Sequence, residues 1–384
     1  MKKTTILTLL WAATALSAYS SRPLTISRTP TQGFKVCLGE RVIAHGDTPC
    51  DTLNPGVRWW LNSIRQLPDI HRAPTVRPTE LGFPDSCEPL LTTEWGQEAP
   101  YNWMCPLPDY SPWGGYLPDA THCPTGCVAT ATAQIMKHFR YPAHGEGTCS
   151  VNPEQLPGTT VYTVDLAEAH YDWDLMLDDY TTDYTEEQAR AVAELSYHVG
   201  VASRMGYRDD ASATDNNYAL MALQQHFGYS NGIENIERNN YTESEWMQLV
   251  YTELSEGRPI LYEAVGIDLG TYGIYGHSFV IDGYDADGLV HVNWGWYGNS
   301  NGYYDIALLN PRDLHFDAYQ MMGIGIQPAS HGDTAVDSPH SIGQRPAAAD
   351  GVYTLDGRLL RQASSPSQLP PGIYLCNGRK HIVR

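Results

Sequence analysis

"CPTGCVATATAQIMKHF", residues 123–139, is the stretch on which the fold turns. After Cys127, the residues Val128, Ala131, Ile135, Met136 and Phe139 recur at helical spacing and make one apolar face that a globular chain buries. Gly126 precedes the cysteine, so the thiol stands in the first turn. There the unpaired backbone N–H groups and the positive end of the helix dipole favour a thiolate, and the Cys127 N–H can hold a developing oxyanion. Gly126 leaves room for a substrate. A small buried cysteine beside a turn fits the same letters, so the rest of the chain must choose between a structural thiol and a nucleophile.

A nucleophilic cysteine needs a base, and 14 histidines are on offer. His277 has the best frame, in "YGHSFVIDGYDADGLVHVNWGWYGNSNGYY", residues 275–304. It follows Gly276 at the start of a strand, where an imidazole reaches sideways into a cleft. His71, His122 and His331 lack such a frame. His291, between Val290 and Val292, reads as a half-buried structural histidine.

The turn "DADG", 285–288, folds the two strands into a hairpin. In a ladder without bulges Tyr284 faces Leu289 and His277 faces Trp296, which puts Trp294 and Trp296 on the histidine's side. Asn293 points away unless one bulge changes the parity. Either an indole wall or the asparagine amide orients the imidazole. Asp285 and Asp287 open like a calcium loop, but the later ligands are missing and a polar turn is the reading. Cys123 and Cys127 have no second pair at zinc-finger spacing, so no metal site is assigned.

Outward from this core, the middle of the chain is helical. "TEEQARAVAELSYHVGVA", 185–202, starts with a capping box from Thr185 to Gln188; "TESEWMQLVYTEL", 242–254, starts with one from Thr242 to Glu245. "DNNYALMALQQHF", 215–227, stops at Gly228. Beyond Gly257 the pattern turns to strands, in "PILYEAV", "HSFVIDGYD", "LVHVNW" and "GYYDIALL". Helices first and an antiparallel sheet later make an α+β domain.

The flanks carry other signals. Residues 1–20, a charged start followed by "TTILTLLWAATALSA", read as a secretory signal peptide. Residues 21–80 form a small piece and linker: strands in "GFKVCLGERVIAHG", a helix capped by Asn54 with Pro55 at its first position, then a proline-rich run. The domain spans 81–328, a polar linker 329–350, and a tail 351–384 has hairpin turns at Asp356-Gly357 and Asn377-Gly378. A formal charge of -20 speaks against nucleic acid or an anionic membrane surface as partner, and no later stretch is apolar for long enough to anchor in a membrane. Eight cysteines at irregular spacing give no disulfide pairs.

"TGCVATATAQIMKHFRYP", "GHSFVIDGYD" and "HVNWGWYG", with "WGQEAPYNWMCP" before them and "LNP" and "GIGIQP" after, resemble the streptopain family of secreted bacterial cysteine peptidases. The resemblance implies a two-lobed papain-like fold, with the helix of the catalytic Cys packed against an antiparallel sheet lobe. It implies Cys127 as nucleophile, His277 as general base and acid, Asn293 as the orienting asparagine brought round by a bulge, and Trp294 packed behind it. Gly126, Gly276, Trp296 and Thr121 then line the substrate site. Thr121 stands six residues before Cys127, where papain-like enzymes carry a glutamine that donates to the oxyanion.

The resemblance further implies a zymogen, with residues 21–80 as intramolecular inhibitor, protein or peptide substrates and no cofactor. "YRDDASATDNN", 207–217, falls where this family builds part of its cleft. The tail, through "LPPGIYLCNGRKHIVR", is similar to sorting tails of exported Bacteroidetes-type proteins, which implies secretion machinery as partner and a secreted or cell-surface location. Two other readings share these residues: a weak or inactive relative that binds or inhibits, and an acyl or amide transferase on the same fold.

Overall fold

The computed structural model describes residues 24–31, 33–55, 57–58, 61, 76–108, 122–152, 161–268, 273–306 and 319–329, and the backbone of 352–354, 359–360, 372–376 and 379–383. Helix α1, Cys127–Phe139, runs as its apolar spacing predicts, with every side chain from Val128 to Met136 buried. Ile135 and Met136 have no exposure, and burying each stabilises the fold by about 1.5–3 kcal/mol. The helix starts at Gly126, whose φ of 87° favours glycine; a Cβ there would also lie 2.7 Å from Met205 Sδ and 2.9 Å from the Ser212 carbonyl oxygen. Helices α2 (Glu186–Ala202) and α3 (Asn216–His226) pack against α1 in one core. Both predicted capping boxes close, at Thr185/Gln188 of α2 and at Thr242/Glu245 of α4 (Glu243–Ser255).

The other core lies on the sheet. Its strands are β1 (Leu24–Arg28), β2 (Phe34–Leu38), β3 (Arg41–Gly46), β6 (Glu234–Glu237), β7 (Ile260–Asp268), β8 (Gly273–Tyr284), β9 (Val290–Asn293), β10 (Gly302–Tyr304) and β11 (Tyr319–Ile324). They pair antiparallel in the order β1-β2-β3-β10-β9-β8-β7-β11-β6, while β4 (Thr148–Val151) and β5 (Tyr162–Asp165) form a separate ribbon. Alternation divides the side chains of β7 and β8 between two faces. Leu261 and Val280 join the helices α1 to α3; Ile260, Tyr262, Phe279 and Ile281 join α4. This gives a helical lobe and a sheet lobe that meet along β7 and β8.

The N-terminal piece is not separate from this sheet. Its β2 and β3 are the two strands read in residues 33–46; β1 adds a third, and β3 pairs with β10 through His45↔Tyr303 and Ala44↔Tyr304. Phe34, Val36, Ile43 and Ala44 are wholly buried in the same core as Val290, Val292 and Tyr304. The Asn54 carbonyl accepts from Arg58 N at 3.0 Å, the first turn of the predicted helix, whose remainder lies largely outside the described residues with most of the linker after it.

Residues 332–384 form a unit of their own. Its strands β12 (Val352–Thr354), β13 (Leu359–Leu360), β14 (Gly372–Cys376) and β15 (Arg379–Val383) pair in the order β13-β12-β14-β15. The β12/β13 and β14/β15 pairs are the two predicted hairpins. Their turn residues, Asp356-Gly357 and Asn377-Gly378, lie outside the described residues.

Candidate active site

The hairpin β8/β9 sets the site. Its turn is polar as read: Asp285 Oδ1 accepts from Asp287 N at 3.0 Å and Leu289 N at 2.9 Å. Among the described residues no cluster of His, Cys, Asp and Glu could hold a metal ion. At the turn the ladder pairs Tyr284 with Val290, one residue off the unbulged expectation. A bulge at Asp282 then restores the expected register, with Ile281 opposite Val292 and Val280 opposite Asn293. Asp282 is fully buried and anchored: its carboxylate takes Leu91 N–H at 3.1 Å and pairs with His291 Nδ1 at 2.6 Å. His291 is the structural histidine that its frame suggested.

This register places the Asn293 side chain. Val280 and His277 are three positions apart on one strand, so their side chains leave opposite faces, and Asn293 follows Val280 toward the helices. Its Nδ2 donates to the Thr93 carbonyl at 2.6 Å, its Oδ1 accepts from Gly295 N at 3.1 Å, and its amide faces that of Gln134 on α1 at 3.3 Å. The implied bulge exists, but it lies toward the turn and does not bring this amide to the imidazole. His277 Nε2 instead meets the Trp294 backbone carbonyl at 2.8 Å.

A carbonyl only accepts, so Nε2 carries the proton and Nδ1 keeps the lone pair that a general base needs. Trp296 stacks on the imidazole at 4.6 Å between centroids, and Trp294 lies parallel to Trp296 at 5.2 Å. The indole wall is therefore the built arrangement. Burial pushes the His277 pKa down to about 4, against the smaller upward pull of the Trp294 carbonyl.

Cys127, half-buried, opens α1 beside β8, where the backbone and side chain of Ser278 pull the pKa of its thiol down. Burial outweighs these pulls and that of the Val128 N–H, and the Glu263 carboxylate adds to it, so the thiol is pushed up. This reverses the thiolate expected from the helix start alone, because desolvation of a charged sulfur exceeds what a few dipoles return. Among the described residues Cys127 and His277 share no hydrogen bond, and each is held in its neutral form.

Thr121 lies outside the described residues. Gly276 is exposed at the cleft edge, paired with Val265 on β7. Trp296 lines a cavity of about 1080 Å³ together with Gln97, His122, Pro124, Gly295 and Tyr297. Gln97 is the residue that spacing from Cys127 missed. Its backbone carbonyl accepts from Thr125 N at 2.9 Å, two residues before Cys127. Its signal was the "WGQ" before the first aromatic run. Residues 209–211 of the "YRDDASATDNN" loop line the same cavity.

The sequence profile of the peptidase C10 family matches residues 95–304, just over half of the 384, and takes in α1, β8, β9 and the indole pair. The chain belongs to the peptidase C10 family. Streptopain of Streptococcus pyogenes is 33% identical over 245 residues, 61% of this chain and 60% of that protein, so this C10 chain spans about three fifths of the curated relative's length. A fragment of Prevotella intermedia prointerpain A superposes with a TM-score of 0.67 at 34% identity, covering 80% of this chain and 97% of the fragment. The active Prevotella intermedia interpain A cysteine protease superposes with a TM-score of 0.58 at 40% identity, covering 65% of this chain and 98% of that structure. The papain-like fold expected of this C10 chain is the one observed.

Proposed function

We propose that this chain is the precursor of an exported cysteine endopeptidase. The observation that carries the reading is His277 held through Nε2 by the Trp294 carbonyl, its Nδ1 open, on the strand residue next to the Ser278 that acts on Cys127. When the pair engages, Nδ1 takes the Cys127 proton and the thiolate attacks the scissile carbonyl. The Cys127 N–H and the Gln97 side-chain amide, in place of Thr121, hold the oxyanion. His277 then protonates the leaving amine, and water activated by the same imidazole hydrolyses the thioester. Asn293 supports this as a positioning residue that ties β9 to α1, and Trp294 and Trp296 keep water from the imidazole.

The N-terminal strands supply latency. Beside the β3/β10 pairing, Ser300 takes a bond from Asn54 N at 2.9 Å and gives its own N–H to Thr48 at 2.7 Å, and Asn299 donates to the Thr52 carbonyl at 3.0 Å. These contacts grip the segment that follows Trp296 and Tyr297, and Thr52, Asn54 and Pro55 line the cleft cavity. The precursor fragment of interpain A matches more of this chain than the active form does, which supports reading residues 21–80 as a pro-segment. Residues 1–20 as signal peptide and 351–384 as a sorting tail complete the proposal, with delivery to the cell surface or beyond. No helix among the described residues is long and apolar enough to cross a membrane.

The grip has a test of its own. Arg41 of β3 forms an ion pair with Asp305, whose side chain is wholly buried, so losing the arginine weakens the hold of β3 on the sheet. Arg41→Ala therefore speeds conversion of the purified precursor by at least about tenfold, followed as the mature band on gels. Unchanged conversion would show that the pro-segment is held elsewhere.

The activity itself is tested by incubating the purified precursor and its Cys127→Ala variant with casein, sequencing any new N-terminus and probing the thiol. The wild type cleaves casein and itself and is labelled at Cys127, while the variant does none of these. Intact casein with both proteins and an unlabelled Cys127 sinks the reading.

A further inference from the structure

Chain spacing singles out no cysteine pair, yet the fold lays Cys105 and Cys123 side by side. Cys105 closes a turn that starts at Asn102, whose carbonyl accepts from Cys105 N at 2.9 Å. Residues 122–123 lie against this turn through three bonds. The Pro106 carbonyl accepts from Cys123 N at 2.9 Å, Asn102 Nδ2 donates to the His122 carbonyl at 3.0 Å, and His122 Nδ1 donates to the Cys105 carbonyl. A disulfide spans Cα separations of about 4.4–6.8 Å, the spacing of neighbouring backbones joined by hydrogen bonds. Both side chains are thiols here, and both are buried, at 1% and 2% exposure.

The other cysteines outside the active site keep different company among the described residues. Cys37 stands opposite Thr25 on β1, Cys50 donates to the Ser27 carbonyl at 3.2 Å, Cys87 donates to the Leu254 carbonyl at 3.5 Å, and Cys149 stands opposite Val164 on the β4/β5 ribbon. One tyrosine senses both members of the pair: burial and then Cys105 push the Tyr207 hydroxyl up, and Cys123 adds to the push. Burial likewise pushes the Cys105 thiol up to about 12, against the pull of the Tyr207 side chain, with Cys123 adding to the rise. A thiol so far from ionising is inert as a nucleophile in the folded protein, and neither cysteine has a part in the hydrolysis described above.

The pair joins two stretches of one wall. Gln97, Asn102 and Trp103 line the cleft cavity from before Cys105, while His122 and Pro124 line it from either side of Cys123, four residues before Cys127. We infer that Cys105 and Cys123 form a disulfide that fastens these two stretches of the cleft wall to each other. The bond forms while the chain folds, before burial suppresses the thiolates. One thiolate attacks an external disulfide of the glutathione type, the other attacks the mixed disulfide so formed, and the external disulfide leaves as two thiols with the two electrons and two protons. Export, as proposed above, delivers the chain to a compartment where such bonds persist. The pairing does not depend on the peptidase reading.

The test uses the full chain with Cys127→Ala, so that self-cleavage does not intrude. It is refolded from urea in reduced and oxidised glutathione, alkylated with iodoacetamide under denaturing conditions and digested with chymotrypsin, for which Tyr110, Trp113 and Tyr116 lie between the two cysteines. Mass spectrometry finds one species that joins the Cys105 and Cys123 peptides, lighter than their sum by two hydrogens, and reduction separates it. Alkylated Cys105 and Cys123, or either of them linked to a different cysteine, overturns the inference. Stability gives a second readout. Dithiothreitol lowers the thermal midpoint by roughly 5–10 °C, as for a cross-link over a loop of this length, and leaves unchanged that of the same chain with Cys105→Ser and Cys123→Ser. An equal shift in both chains assigns the effect to another bond and overturns the fastening role. The linkage map needs no variant at either position, so it decides the matter should the serine chain fail to fold.

Discussion

His277→Ala lowers kcat/KM of the matured enzyme by roughly ten thousandfold to a millionfold, the loss seen when a nucleophile is stripped of its base, and Asn293→Ala does not. The contrast follows from the two hydrogen-bond sets. The imidazole is oriented by the Trp294 carbonyl, a backbone atom that no side-chain substitution removes, and by the stacked indoles. Asn293 instead fills a buried polar gap among Thr93, Gln134 and Gly295, and its loss leaves those groups unpaired at about 1–3 kcal/mol each. Asn293→Ala therefore lowers the denaturation midpoint and changes kcat far less than His277→Ala. Single-turnover kinetics beside urea unfolding of both variants separate the effects. A kinetic loss in Asn293→Ala equal to that of His277→Ala, at unchanged midpoint, would restore the asparagine as the orienting group.

Asp282→Ala destabilises the protein by about 2–6 kcal/mol, the sum for leaving two hydrogen-bonding groups unpaired at about 1–3 kcal/mol each. The bulged carboxylate holds His291 on β9 and the Leu91 N–H at once, and the Asp282 carbonyl accepts from Leu90 N at 2.8 Å. Loss of the side chain leaves a buried imidazole and a buried amide without partners in the place where the ladder changes register. Asp282→Asn, which keeps the shape and one acceptor, costs less. Equilibrium unfolding in urea, read by tryptophan fluorescence, measures both. A midpoint for Asp282→Ala within error of wild type would mean that the bulge is held by its backbone alone.

The local signals of this chain were legible in its letters. The apolar stripe of α1 and the two capping boxes each depend on residues within one or two turns of one another, and each formed as read. The register at Val280 and Ile281 was also correct, although by two offsetting departures, an enlarged turn and the Asp282 bulge. Long-range pairings were less open to view. Nothing in residues 24–46 says that β3 will lie beside β10, since that match is decided by which edge the sheet leaves free. Strand parity already pointed Asn293 away from His277 unless a bulge intervened; it was the resemblance, counting sixteen positions in chain order, that brought it to the imidazole. Gln97, proposed above as the oxyanion donor, lies thirty residues before Cys127, whereas the donor was sought six residues before it.

Excision of the N-terminal strands, as proposed above, would uncover the rim of the sheet. The strand that β3 covers, β10, is only the three residues Gly302–Tyr304. A long bare rim would recruit strands from other molecules and turn maturation into aggregation, whereas three residues offer too few free N–H and C=O groups to template a ladder. Maturation thus removes three strands from the sheet and leaves behind an edge too short to be adhesive.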